Sequence, residues 1–93
     1  MSAILRRVVV HGRVQGVWYR GWTVDTARAL GLDGWVRNRR DGSVEMLLAG
    51  HEDAVERMIE RCHEGPEAAR VERVEVEEGD GATPSGFAQR PTV

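Results

Sequence analysis

The chain predicts an α+β fold of ferredoxin-like βαββαβ topology: an antiparallel sheet, two helices on one face, and a short extra C-terminal strand. Three observations lead there. Runs rich in β-branched residues and two segments of helical periodicity follow one another as strand, helix, strand, strand, helix, strand. The middle two strands flank a hairpin signal, Asp41-Gly42. No repeat, linker or low-complexity tract interrupts the series.

Each element has its own warrant. "ILRRVVVHG" is dense in branched residues and predicts a first strand over about 4–11, closed by Gly12. Tyr19, Trp22, Thr23, Ala27 and Leu30 recur at helical spacing, with Gly31 as the C-cap. "LDGWVRNRRDGSVEMLLAG" supplies the hairpin, with Asp41-Gly42 expected as a two-residue turn. Val55, Met58, Ile59 and Cys62 stripe the second helix, which Gly65-Pro66 stops. "ARVERVEVEE" sets Val71, Val74 and Val76 against outward acids. "GDGATPSG" is a flexible turn, and "FAQRPTV" a last strand that Pro91 places at an edge.

Ninety-three residues predict one domain spanning 1–93. With 41% hydrophobic and 30% charged residues, the composition is that of a globular rather than a disordered protein. No apolar run approaches the roughly 20 residues of a membrane span. Arg6 and Arg7 interrupt the N-terminal apolar stretch, which lacks a signal-peptide cleavage site. The expectation is a cytoplasmic protein. Cys62, the single cysteine, allows no intrachain disulfide and reads as a packing residue. The net charge of -2 hides an asymmetry: residues 1–46 hold eight arginines and four acids, residues 47–93 five arginines and eleven acids. An anionic ligand, if small, belongs in the basic half.

That half contains "HGRVQGVWYR", where a strand passes through Gly12 and Gly16 into a helix. Glycines let backbone N–H groups turn toward an anion, and a helix N-terminus adds unpaired donors and its dipole. Arg20 adds a planar cation that grips two oxygens of one phosphate. The stretch is not a nucleotide P-loop, since the chain has no lysine. Two glycines also suit an ordinary tight turn, and both readings stand at this point. Asn38, just before the hairpin turn, can hold a water through its amide without titrating, or can simply favour the turn. His11, His51 and His63 form no Ser-His-Asp or Cys-His set and no zinc spacing.

Taken together, "GRVQGVWYR" (Gly12–Arg20) and "GWVRNRRDGSVEMLLAG" (Gly34–Gly50) closely resemble the two signatures of acylphosphatases. "LGLDGWV", "GPEAARV" and Phe87 extend the likeness over almost the whole chain. The resemblance implies the same ferredoxin-like fold. It implies hydrolysis of an acyl phosphate to a carboxylate and inorganic phosphate, without metal or cofactor. Residue by residue, it implies phosphate held by Arg20 and by the backbone amides of Gln15, Gly16, Val17, Trp18 and Tyr19. It implies an attacking water oriented by Asn38. The resemblance implies candidate substrates such as 1,3-bisphosphoglycerate, carbamoyl phosphate and acetyl phosphate, without selecting among them, and inorganic phosphate is expected to compete.

This chain departs from the family pattern at Arg39-Arg40, which make the turn more basic, and at Glu67, where a second proline is common. Gln89 replaces a usual apolar residue, so weak packing of the last strand is expected. In some relatives a terminal carboxylate or strand residue fixes the arginine. A competing role as an RNA-binding module would use Arg37, Arg39 and Arg40. The negative net charge and the lack of sheet aromatics of the RRM type oppose it. A third possibility is a domain of a larger protein handling carbamoyl groups. With no downstream zinc-type cysteines, a free-standing enzyme is expected, as a monomer with no nucleic-acid or membrane partner.

Overall fold

A computed structural model describes residues 3–93. Its elements are β1 (Ala3–Arg13), α1 (Tyr19–Ala29), β2 (Asp33–Asn38), β3 (Val44–His51), α2 (Glu52–Cys62), β4 (Arg70–Glu78) and β5 (Phe87–Gln89). The strands form one sheet in the order β4-β1-β3-β2-β5. β3 is antiparallel to β1 and β2, β4 is antiparallel to β1, and β5 runs parallel to β2. Each helix therefore joins two parallel strands that hold a third between them. This is the split βαβ topology expected from the sequence.

Strand alternation decides which residues meet the helices. Val10 and Val8 of β1 lie opposite Val44 and Met46 of β3, and Met46 lies opposite Val36 of β2. All five are fully buried. Against them pack Tyr19, Val24 and Ala27 from α1 and Val55, Met58 and Cys62 from α2. The expected helix faces hold with small changes: Val24 joins the first, while Trp22, Leu30 and Ile59 pack at the core margin. Thr23 is buried but satisfied, its hydroxyl donating to the Tyr19 carbonyl at 2.8 Å. The Gly31 and Leu32 N–H groups close the end of α1 on the Arg28 and Ala27 carbonyls. Cys62 is buried and unbridged. Burial pushes its thiol up to about 12, so it packs as a hydrophobe.

The strands depart from the sequence reading in three places. β1 runs past Gly12 to Arg13, because the pairing with β4 shifts register between His11 and Gly12. The shift makes Glu72 an extra residue on β4, and it lets Val71 and Val74, three apart, both pack on the core. Gly12 sits at φ 128°, and a Cβ there would collide with the Arg70 carbonyl oxygen and lie 2.8 Å from the Glu72 nitrogen. Val76, expected half-buried, is 45% exposed, on β4 at the edge of the sheet. Finally, the hairpin loop is longer than two residues. The Arg39 N–H donates to Ser43 O (2.9 Å) and the Gly42 N–H to Arg39 O (3.1 Å). Gly42 thus takes the bulge position of a three-residue loop. β5 is an edge strand, as expected, held by buried Phe87.

The other face of the sheet carries charge. Arg37, Glu45 and Arg7 face one another across β2, β3 and β1, and Arg7 also pairs with Glu77 on β4. Glu45 is 3% exposed. Burial alone would raise its pKa, but hydrogen bonds from Arg37 (2.7 Å) and Arg7 outweigh that and hold the carboxyl below its ordinary range. A folded-state pKa below the unfolded value stabilises the native state above the unfolded pKa, and the effect is lost as pH falls. Glu45→Gln is therefore expected to cost about 1.5–3 kcal/mol at pH 7. In urea titrations the deficit relative to the unsubstituted protein should shrink as pH drops below about 4.3.

Candidate active site

The C-terminal ends of β1 and β2 lie side by side with only the start of β3 between them. Val10, Val44 and Asn38 stand in one row across the sheet, so Asn38 faces the helices. The connection from Arg13 to Tyr19 rises above that row and enters α1. The result is a cleft of about 140 Å³ lined by Val14, Gln15, Gly16, Trp18, Tyr19, Arg20, Gly21, Asn38 and Gln89.

The loop is shaped by left-handed backbone at two points. Gly16 has φ 72°, where a glycine carries no steric cost. Trp18 has φ 69° and is the one non-glycine residue with positive φ among the described residues. It is the N-cap of α1, and its carbonyl accepts from the Trp22 N–H at 3.0 Å. No side chain caps the helix, and no acid lies in its first turn. The positive end of the helix dipole is therefore unopposed there, which suits an anion. Among the described residues no carboxylate lies within ion-pair distance of Arg20.

Two side chains hold this geometry. The Gln15 amide donates to the carbonyls of Arg39 (2.7 Å) and Ser43 (2.9 Å). Those are the residues that close the hairpin loop, so Gln15 ties the glycine loop to the turn that follows Asn38. Tyr19 is buried under the end of α2, and its hydroxyl donates to the Cys62 carbonyl at 2.7 Å. Burial pushes its phenol far above the ordinary value, so it stays neutral and structural. Its ring also meets Trp22 edge-on, centroids 5.2 Å apart.

Asn38 is held from behind. The Val93 N–H donates to its carbonyl at 3.2 Å, and the Arg40 N–H donates to Val93 O at 2.7 Å. Its side-chain oxygen Oδ1 is buried and has no hydrogen-bond partner among the described residues. A buried acceptor left unpaired costs about 1–3 kcal/mol.

Of the residues singled out in the sequence, Gln15, Gly16, Trp18, Tyr19, Arg20 and Asn38 line the cleft, while the Val17 side chain packs against the core. Gly21 and Gln89 also line the cleft, and the sequence reading did not place them there. Gln89 reaches it because it pairs with Val36 and so shares the helix-side face with Asn38. Its polarity in an otherwise apolar strand was the available signal. Among the described residues no cluster of three His, Cys, Asp or Glu side chains has the arrangement of a metal site.

The Acylphosphatase family model matches residues 6–89. The chain belongs to the acylphosphatase family of enzymes. It is 58% identical over 90 residues to the acylphosphatase of Rhizorhabdus wittichii, covering 97% of this chain and 91% of that one. It is 54% identical over 93 residues to that of Rhodospirillum rubrum, covering both chains fully. Among solved structures, the acylphosphatase from Coxiella burnetii superposes with a TM-score of 0.90 at 36% identity, over 95% of this chain and 93% of that one.

The Gln15 tether makes a measurable difference to this acylphosphatase fold. Gln15→Ala removes two donors, while Arg39 O and Ser43 O each keep a backbone partner. A loss of about 1–2 kcal/mol in urea unfolding is expected, with faster amide exchange in residues 14–18 and 39–43.

Proposed function

We propose that this protein hydrolyses acyl phosphates, with the phosphoryl group bound by Arg20 and the loop amides of residues 15–19 and the attacking water oriented by Asn38. One observation carries the reading: Asn38, whose buried Oδ1 has no hydrogen-bond partner among the described residues, and Arg20, which has no carboxylate beside it among them, line the same small cleft. An acceptor without a partner beside a cation without an anion suits a water next to an oxyanion. Family membership supports the reaction class.

Asn38 Oδ1 accepts a hydrogen bond from the water, which turns a water lone pair toward phosphorus. The water oxygen bonds to phosphorus as the bridging P–O bond breaks, and that electron pair leaves with the carboxylate. The water's proton passes to a non-bridging phosphoryl oxygen, giving dihydrogen phosphate. A carboxylate is a good leaving group and needs no protonation, so no general acid is required. What remains for the protein is alignment and stabilisation of charge on the equatorial oxygens. Arg20 and the loop amides supply the second, Asn38 the first.

Arg20→Gln is expected to lower kcat/KM for benzoyl phosphate by at least about 10²-fold and to abolish competition by inorganic phosphate, with the unfolding midpoint little changed. Turnover near that of the unsubstituted protein in the purified variant would remove Arg20 from this role.

Asn38→Ala separates water from phosphate. Here kcat should fall about 10²-fold while the inhibition constant for inorganic phosphate moves less than about threefold. Because the substitution deletes an unsatisfied buried oxygen, stability to urea should hold or rise by up to about 1 kcal/mol. Equal losses in kcat and phosphate affinity would contradict the assignment.

A further inference from the structure

Trp18 is the one exposed aromatic side chain among the described residues, at 62%. It is also the residue with the unusual backbone, φ 69°. Exposure of an indole and left-handed backbone on a bulky residue are each unfavourable, and such features concentrate at functional sites. Its position is defined by Gly21. A Cβ at Gly21 would collide with the indole Nε1 and lie 2.7 and 2.8 Å from Cδ1 and Cε2. The Nε1 side of the indole therefore rests on Gly21, while the residue as a whole stays largely exposed. Both residues line the cleft with Arg20 and Asn38.

We propose that the Trp18 ring is the platform for the acyl group, selecting acyl phosphates with flat, apolar acyl parts over small polar ones. The inference rests on the hydrolytic reading above for the orientation of substrate. In-line displacement puts the leaving acyl oxygen on the side of phosphorus opposite the water. The water is held from β2 by Asn38, so the acyl group leaves toward the mouth of the cleft. There the indole offers its face, and a planar acyl group stacks on it with loss of apolar surface from water. Gly21 is the residue that lets the ring lie there, and nothing else in α1 requires a glycine at that point.

The test compares benzoyl phosphate with acetyl phosphate. Trp18→Ala should lower the benzoyl-to-acetyl ratio of kcat/KM about tenfold, mainly through KM for benzoyl phosphate. Trp18→Phe should keep the ratio within about threefold of that of the unsubstituted protein. Gly21→Ala, which favours the helix but displaces the indole, should lower the ratio as Trp18→Ala does without loss of thermal stability. A parallel loss on both substrates would mean a structural role and would overturn the proposal. Calorimetry with benzoylmethylphosphonate and acetylmethylphosphonate, whose bridging CH2 resists hydrolysis, gives a readout independent of turnover. If the protein hydrolyses neither substrate but loses its preference for the benzoyl compound in Trp18→Ala, the hydrolytic reading fails and the platform stands. If Trp18→Ala keeps that preference, the platform fails whatever the turnover.

Discussion

The site depends on one side chain that does no chemistry. Gln15 belongs to the loop after β1, and its amide spans to the two carbonyls that close the β2–β3 hairpin. Arg20 and Asn38 are eighteen residues apart in sequence, on a helix and on a strand. This bridge joins the loop directly to the turn that follows Asn38. With it, the first residues of α1 and Asn38 line the same small cleft. A neutral amide is suited to the task, because it donates two hydrogen bonds to carbonyls without adding a charge to the cleft.

The arginines divide into paired and unpaired. The chain has thirteen. Arg7 and Arg37 are engaged by Glu45 on the face of the sheet away from the helices, and Arg37 and Arg90 also lie over the Trp35 ring, at 4.5 and 5.2 Å from its centroid. These charges are neutralised or stacked, and their contribution is to stability. Arg20 lines the cleft with no carboxylate beside it among the described residues. Composition alone cannot separate the two kinds. Pairing does, because a paired guanidinium has already given its field to a neighbour.

Much of the architecture was legible because alternation and helical spacing report which face of an element meets the core. The two helices, the hairpin and the edge position of the last strand all follow from such patterns. Gly12 was read as the end of a strand because glycine usually interrupts one, but here it is the point where the backbone of β4 comes too close for a Cβ. Asp41-Gly42 marked the turn but not its length, since Gly42 also serves a bulge. For Gly12 the deciding contact belongs to residues distant in sequence, while for the hairpin it is the local pairing of Arg39 with Ser43 and Gly42. The site was legible as two motifs, and their joint meaning came from likeness to a family rather than from spacing. Gly21 and Gln89 stayed hidden because neither motif contains a reason for them.

The sequence by itself determined the order and type of the elements and the glycine-bearing loop, because periodicity and residue chemistry are local properties; the candidate pair Arg20 and Asn38 came from its likeness to a family. Tertiary structure alone decided that the Asn38 oxygen would be buried without a partner, that Arg20 would be left without an acid, that Gln15 would clasp the turn, and that Trp18 would lie open on Gly21. These are statements about what a group fails to touch or reaches across the sheet to touch. Such facts depend on the register of strands paired across dozens of residues, and no stretch of neighbouring residues encodes them.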